Sequence, residues 1–452
     1  MTVDSILSES TAAPAVTPVG SAERVQSIDV LRGVALLGIL LMNILEFGLP
    51  LGAELNPSIA GGDKGLNLAA WVANHVLFEG KMRAIFSMLF GAGAVLITSR
   101  PERRGGGIEL ADIYYRRTLW LIAFGLAHAY LLWEGDILFT YGLFGLVLFP
   151  LRNVKPWYLI AAGLLLLAPL TPGCLRESME IRSLRKKAAE AAAVAAAGRP
   201  LTDRQQEDRF AWKEKLKGLH QDPGEIAEEY KDHRGSYWRL FLRRTRVVPG
   251  TQSSDLYRFG VFDALGMMLL GMGLLKLGVF SAELRSSTYI RLLSFGYGVG
   301  VPLNALTGYL YYRSGFDPAY LMTHYAIYQY GRLLVALGHI GVVMLVVKAS
   351  VLPRLTTSLA AVGRTALTNY LGTSLVCTVL FNGYGFGLFG RLQRVQLLGV
   401  VLAVWATQLV VSPLWLRVFR FGPVEWLWRS LTYGRRQPMI RSRESRVPVQ
   451  IV

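Results

Sequence analysis

Cysteine is almost missing from this chain of 452 residues: only Cys174 and Cys377 occur. One precedes a long polar stretch and the other lies inside an apolar run, so neither a disulfide framework nor a thiolate metal site is expected. Histidine is scarce as well. The six (75, 128, 220, 233, 324 and 339) show no H-x-x-x-H or Cys-His spacing, and no metal is expected. Neither a Walker loop nor a strand leading into G-x-G-x-x-G is present, which argues against a phosphate-cradling nucleotide domain. The first 26 residues lack a short apolar core followed by a cleavage site. Their Ala, Pro, Ser and Thr read as a disordered tail and not as a removable signal.

The most telling shortage is charge. Only 17% of residues are charged and 52% are hydrophobic, with mean hydropathy +0.36, whereas a soluble domain carries about a quarter charged residues. Stretches such as 118–133, 137–151, 157–172, 330–347 and 396–416 hold few or no charges and approach the roughly 20 apolar residues needed to cross a bilayer. The pattern predicts an all-α polytopic membrane helical bundle of about ten spans: 28–48, 67–98, 117–133, 137–151, 157–172, 257–279, 289–312, 330–349, 357–381 and 395–418. The second is too long for one crossing, and its amphipathic start is expected to lie in the interface. Pro302 is expected to interrupt the seventh. The net charge of +17 would suggest nucleic acid in a soluble protein. Here Lys and Arg cluster in loops, so the lipid bilayer is the expected partner and nucleic acid is not.

Loop charges also predict orientation. Segments 99–117, 152–155, 348–354 and the tail are basic, while 49–66, 134–136 and 382–390 are not. Both termini are therefore expected on the cytoplasmic side of a bacterial inner membrane, with the 134–136 turn outside. The predicted organisation is a polar tail (1–26), N-terminal membrane helices (27–172), a charged outer insertion (173–256), C-terminal membrane helices (257–420) and a basic cytoplasmic tail (421–452). The insertion is expected to be helical. Its Ala-rich stretch ends on Gly198, Thr202 and Gln205 have capping-box spacing, a second helix runs to Gly218, and a third covers PGEIAEEYKDHRGSYWRLFLRRT. It serves either as a solvated insertion or as a cover over an outer site.

Polar residues inside apolar runs need a partner or a job. In the first span Asp29 and Arg32 sit at the cytoplasmic end and Asn43 lies deeper, with 32, 36, 39 and 43 on one face. The structural alternatives are a capped, snorkelling Arg32 and an interhelical hydrogen bond at Asn43. A second group is His128 with Glu134-Gly135-Asp136, placed between two apolar runs. These residues could equally be a packed histidine and a polar turn.

The runs DVLRGVALLGILLMN, GKMRAIFSMLFGAG and GLAHAYLLWEGDILFTYGLFG, then GRTALTNYLGTSL and FGPVEWLWRSLTYG, resemble the YeiB family of bacterial integral-membrane proteins. The resemblance covers 27–151 and about 257–438. It implies membership of a group of transmembrane acyltransferases that includes the lysosomal enzyme acetylating terminal glucosamine of heparan sulfate. That enzyme takes acetyl-CoA on the cytosolic side and modifies an amine on the other. Its first span resembles this one through Asp-x-x-Arg-Gly and a later Asn, which implies an active-site role for Asn43. Its catalytic histidine follows the first span, and by order His75 is the nearest here.

Acyl transfer needs a base near neutral pKa for the acceptor and donors for the oxyanion. His128 is the expected base, Asp136 and Glu134 its carboxylates, and Asn43 the donor. For the acyl-CoA (acetyl-CoA) cosubstrate, Arg32, Lys81, Arg364, Asn369, Tyr370, Trp428 and Arg429 are the expected holders, with Arg83, Arg116, Arg117, Glu425 and Trp426 nearby. Basic groups suit its phosphates and an aromatic face its adenine, although the same residues anchor many membrane helices. Glu425 could also simply neutralise Arg429 on one helix face. The acceptor is expected to be a saccharide or other small envelope metabolite. A transporter or exporter and a non-enzymatic scaffold remain alternatives, and a homo-oligomer is compatible with either.

Overall fold

The computed structural model describes residues 25–102, 107–217 and 221–441. The tail expected over 1–26 lies outside the described residues but for Val25 and Gln26, and so does Gly218. In chain order the helices are α1 (Gln26–Gly48), α2 (Gly52–Leu55), α3 (Gly65–Leu77), α4 (Lys81–Glu102), α5 (Gly107–Leu131), α6 (Leu138–Leu151), α7 (Pro156–Leu167), α8 (Leu170–Ala196) and α9 (Asp203–Lys217). They continue as α10 (Pro223–His233), α11 (Tyr237–Gly250), a π-helical stretch (Thr251–Leu265), α12 (Gly266–Lys276), α13 (Ser286–Arg313), α14 (Pro318–Lys348), α15 (Pro353–Arg364), α16 (Ala366–Phe381), α17 (Arg394–Val418) and α18 (Pro423–Tyr433). The fold is all-α, and each predicted span is helical over most of its length. Among the described residues five stretches are long and apolar enough to cross a bilayer: 26–48, 65–99, 156–196, 318–348 and 394–418.

The second span is broken inside the bundle. Gly80, at φ +67°, turns the chain between α3 and α4, which frees backbone carbonyls where no water is at hand. Side chains take them up. Lys81 Nζ donates to His75 O (2.5 Å), Tyr328 OH to Glu79 O (2.5 Å), His339 Nε2 to Leu77 O (2.7 Å) and Asn304 Nδ2 to Val76 O (3.5 Å). Leu77 O can only accept, so His339 carries its proton on Nε2 and receives Tyr297 OH at Nδ1 (2.5 Å).

Further expectations are corrected. Pro302 does not interrupt the seventh span: α13 runs through it from Ser286 to Arg313. The ninth span is two helices meeting at Thr365. Glu425, read either as one of the donor-holding set or as a partner for Arg429, caps the start of α16. Its carboxylate accepts the N–H of Leu367 (2.6 Å) and Thr368 (3.0 Å) and the Thr368 hydroxyl (2.5 Å). Residues 421–441 are thus no loose tail, because α18 is docked on the bundle.

The insertion is helical as expected but has four helices. Thr202 and Gln205 exchange the capping-box bonds. The predicted third helix splits at Arg234–Ser236, where Ser236 caps α11. α8 lies along α14, with Ser178 Oγ on Ala319 O (2.8 Å) and a bidentate Arg185–Asp317 pair at 2.6 Å. Arg185 holds the Asp317 carboxyl below its usual range. α10 and α11 join the three loops read from the sequence as lying on one side. Glu229 accepts Leu51 N–H (3.2 Å), His233 O accepts Gly383 N–H (2.7 Å), and Arg234 Nη2 donates to Phe389 O (3.1 Å). Arg243 and Arg244 face Glu134 at 3.4 and 3.7 Å. Arg244 is 2% exposed and donates to Leu131 O (3.1 Å). Arg244→Ala is expected to destabilise the protein by about 3 kcal/mol, because it empties a buried site and leaves Leu131 O to Tyr237 alone and Glu134 to Arg243 alone. Thermal unfolding in detergent checks this, and an unchanged midpoint would show that α11 is only loosely attached.

Candidate functional site

His128 lies one turn before the end of α5. The chain then turns through Glu134-Gly135-Asp136 and starts α6, so the carboxylate comes back over the imidazole. His128 Nδ1 and Asp136 Oδ1 are 2.8 Å apart, with both side chains at most 2% exposed. Asp136 Oδ2 accepts the Phe139 N–H (2.8 Å), which holds the carboxylate in place at the first turn of α6. Gly125 makes this approach feasible, since a Cβ there would press on Phe139 N and on Asp136 Oδ2. With Asp136 as acceptor, the neutral imidazole keeps its proton on Nδ1 and its lone pair on Nε2. Nε2 is buried and has no hydrogen-bond partner among the described residues. Tyr370 of α16 packs on the ring (centroids 5.1 Å apart) and its OH accepts Ile137 N–H (3.3 Å).

α1 supplies the next wall. Phe47 packs on Trp133 at 4.4 Å between centroids, and Trp133 stands edge-on to His128 at 6.1 Å. Glu46 lies within electrostatic reach of Glu134, and Tyr370 within reach of Asp136 and Glu46. Asn43 is one turn earlier on the same face, half-buried, and no hydrogen bond engages it among the described residues. Glu134 turns to Arg243 and Arg244 of α11, so it ties the insertion to this turn while Asp136 holds the imidazole.

The residues expected to hold the donor do not all gather. Arg32 pairs with Asp29 (2.8 Å) and points one nitrogen at Gly363 O (3.5 Å), beside Arg364 at the end of α15. Arg117 stacks over Trp428 (3.6 Å), whose Nε1 donates to Arg117 O (2.8 Å), and lies within electrostatic reach of Arg32 and Arg429. Arg429 also stands over Phe421 (4.6 Å). Arg116 pairs with Asp112. These groups form one basic, aromatic corner between α1, α5 and α18. Asn369 is spent on packing, with Nδ2 bonded to Val362 O, Thr365 Oγ1 and Ser412 Oγ. Tyr370 belongs to the His128 centre. Lys81 is not on the basic face at all: it is 0% exposed at the α3–α4 break.

A second polar interior escaped the sequence reading. Asp263 of the π-helical stretch binds Arg332 of α14 through both oxygens and Arg83 of α4 at 3.2 Å. The Arg83 side chain is 49% exposed. Nearby, His75 and Glu79 form a second imidazole–carboxylate pair at 2.8 Å. The available signal was one acid in the sixth span and one base in the eighth, each isolated among apolar residues.

Comparison with known proteins places these residues in a family. Residues 274–435 match a family described as a protein of unknown function, DUF418. That stretch holds Tyr370 and α18, and His128 lies before it. The chain is 32% identical over 444 residues to the uncharacterized protein YeiB of Escherichia coli (strain K12), covering 92% of this chain and 98% of that protein. It is 31% identical over 435 residues to the uncharacterized protein YxaH of Bacillus subtilis (strain 168), covering 93% and 96%. No solved structure matches the chain. With matches running across nearly the whole of both proteins, the chain belongs to the YeiB family.

Proposed function

We propose that the protein is a membrane acyltransferase that moves an acyl group from cytosolic acyl-CoA to a hydroxyl or amine acceptor, a saccharide or other envelope metabolite, on the outer side. The observation that carries this reading is the buried His128–Asp136 pair with its bare Nε2. His128 Nε2 takes the acceptor proton as the acceptor attacks the thioester carbon, and returns it to the departing CoA thiolate. Asp136 holds the tautomer and balances the imidazolium. Asn43 donates to the oxyanion, a role compatible with its unengaged amide and its face of α1. Arg32, Arg117, Trp428 and Arg429 hold the phosphates and adenine of the donor. In this reading the protein sits in the bacterial inner membrane with both termini cytoplasmic, as the loop charges suggest.

The test is thioester turnover. Purified protein in nanodiscs, given labelled acetyl-CoA and a panel of amino sugars and alcohols, should release CoA thiol in an acceptor-dependent way, and His128→Ala should reduce this by about 100-fold or more. Turnover untouched by His128→Ala would remove the site. A transporter is the second reading, favoured by the broken α3–α4 span with its interior charges. It predicts acceptor-independent solute uptake by proteoliposomes and no thiol release.

A further inference from the structure

The α3–α4 break holds a cluster that the acyl-transfer reading does not use. His75 Nδ1 meets Glu79 Oε2 at 2.8 Å, and the His75 side chain is 3% exposed. A carboxylate oxygen accepts, so Nδ1 donates and Nε2 keeps a lone pair. That Nε2 is buried without a partner among the described residues. His324 of α14 lies 4.8 Å away between ring centroids, bonds the backbone of Thr307 and also leaves one buried nitrogen, Nδ1, without a partner. The two rings are packed among Trp71, Tyr311 and Tyr328. Across from His75, the backbone of α13 comes so close that a Cβ on Gly308 would stand 2.9 Å from the ring carbon Cδ2 and 3.5 Å from Nε2. No organic ligand fits such a space. A proton does.

We propose that His75, paired with Glu79 and flanked by His324, is a proton-binding site in the membrane interior, separate from the His128 centre and independent of the acyl-transfer reading. Protonation of the imidazole is supported from the link between α3 and α4 by the Glu79 carboxylate. It is opposed by Lys81 from α4, whose Nζ bonds His75 O, and by a proton on His324; Arg332 of α14, bound to Asp263, acts on Lys81. Glu54 of α2 and Arg394 of α17 lie within electrostatic reach of Glu79, and Tyr311, Tyr325 and Tyr328 place their hydroxyls around it. A single proton therefore changes the net charge of a cluster whose rings are buried, where such a change has large effects. The cluster also holds the break together. Lys81 and Tyr328 hold the freed carbonyls of His75 and Glu79, so occupancy of the site bears directly on the break between α3 and α4.

The experiment is nitrogen NMR of the full chain in lipid nanodiscs with ring-labelled histidine, followed from about pH 9 to about pH 5. The signal that disappears in His75→Asn should pass from a neutral to a cationic pattern, and in Glu79→Gln its midpoint should move by about tenfold in proton activity. If His75→Asn fails to fold, single variants at the other five histidines assign the signal by elimination. A His75 signal that keeps one protonation pattern throughout overturns the proposal. So does a midpoint that Glu79→Gln leaves in place.

Discussion

Asp136→Asn is expected to lower acyl transfer by about 10²- to 10⁴-fold while leaving the protein folded. The reason is a conflict over one amide. The carboxylate serves two donors, the His128 ring at Oδ1 and the Phe139 N–H at Oδ2. An asparagine has a single oxygen. If that oxygen stays on Phe139, where a helix start needs an acceptor, the amide NH₂ faces His128 Nδ1 and donates to it. The imidazole proton then moves to Nε2, and the lone pair that should receive the acceptor proton is gone. If the oxygen turns to His128, the Phe139 N–H meets an NH₂ group and the start of α6 loosens, at about 1 kcal/mol. Either way the base is lost or misplaced. The measurement is the turnover number for CoA release beside a thermal unfolding curve. A normal rate in a normally folded Asp136→Asn would show that the pair only packs α5 against α6.

Gly91→Ala is the second large effect, here on assembly. α4 and α12 lie so close that a Cβ at Gly91 would fall inside the van der Waals envelope of Met268 O, and one at Gly271 inside that of Met88 O. The two glycines act reciprocally across the interface, each making room for the other helix's backbone. An added methyl forces the helices apart and opens the core around Met88, Met267 and Met268, which are at most 1% exposed. The expected loss is about 3 kcal/mol, at the top of the usual overpacking range. Gly93→Ala, two residues on, is the control: nothing lies within 4 Å of its Cβ position. Yield of monodisperse protein and unfolding midpoint should fall for Gly91→Ala and hold for Gly93→Ala. Equal behaviour of the pair would mean the helices separate without strain.

The two variants also divide what was legible from what was not. His128 and Asp136 are eight residues apart across one turn, so the chain itself brings them together, and their pairing was readable as a local matter. Asp263 and Arg332 are separated by 69 residues, and Glu425 finds the start of α16 from 57 or 58 residues away. In the sequence Asp263 and Arg332 stand as lone charges that nothing links, and Glu425 has only a short-range partner in Arg429. Tyr370 and Lys81 were both misplaced for the same reason. Their types fit a phosphate- and adenine-binding face, but rotation about the helix axis turns one toward His128 and the other into the core.

The amino-acid sequence by itself determined the helical class, the spans, the capping box at Thr202 and the two-sided grouping of loops. Those depend on runs of apolar residues and on caps, which act over a few positions. Only the tertiary structure decided which interior charges meet, that the second span breaks at Gly80, and that α10 and α11 cover the His128 end of the bundle. These depend on how helices rotate and cross. That choice is made by side-chain volume and by glycine contacts between segments far apart in the chain, which a local pattern does not encode.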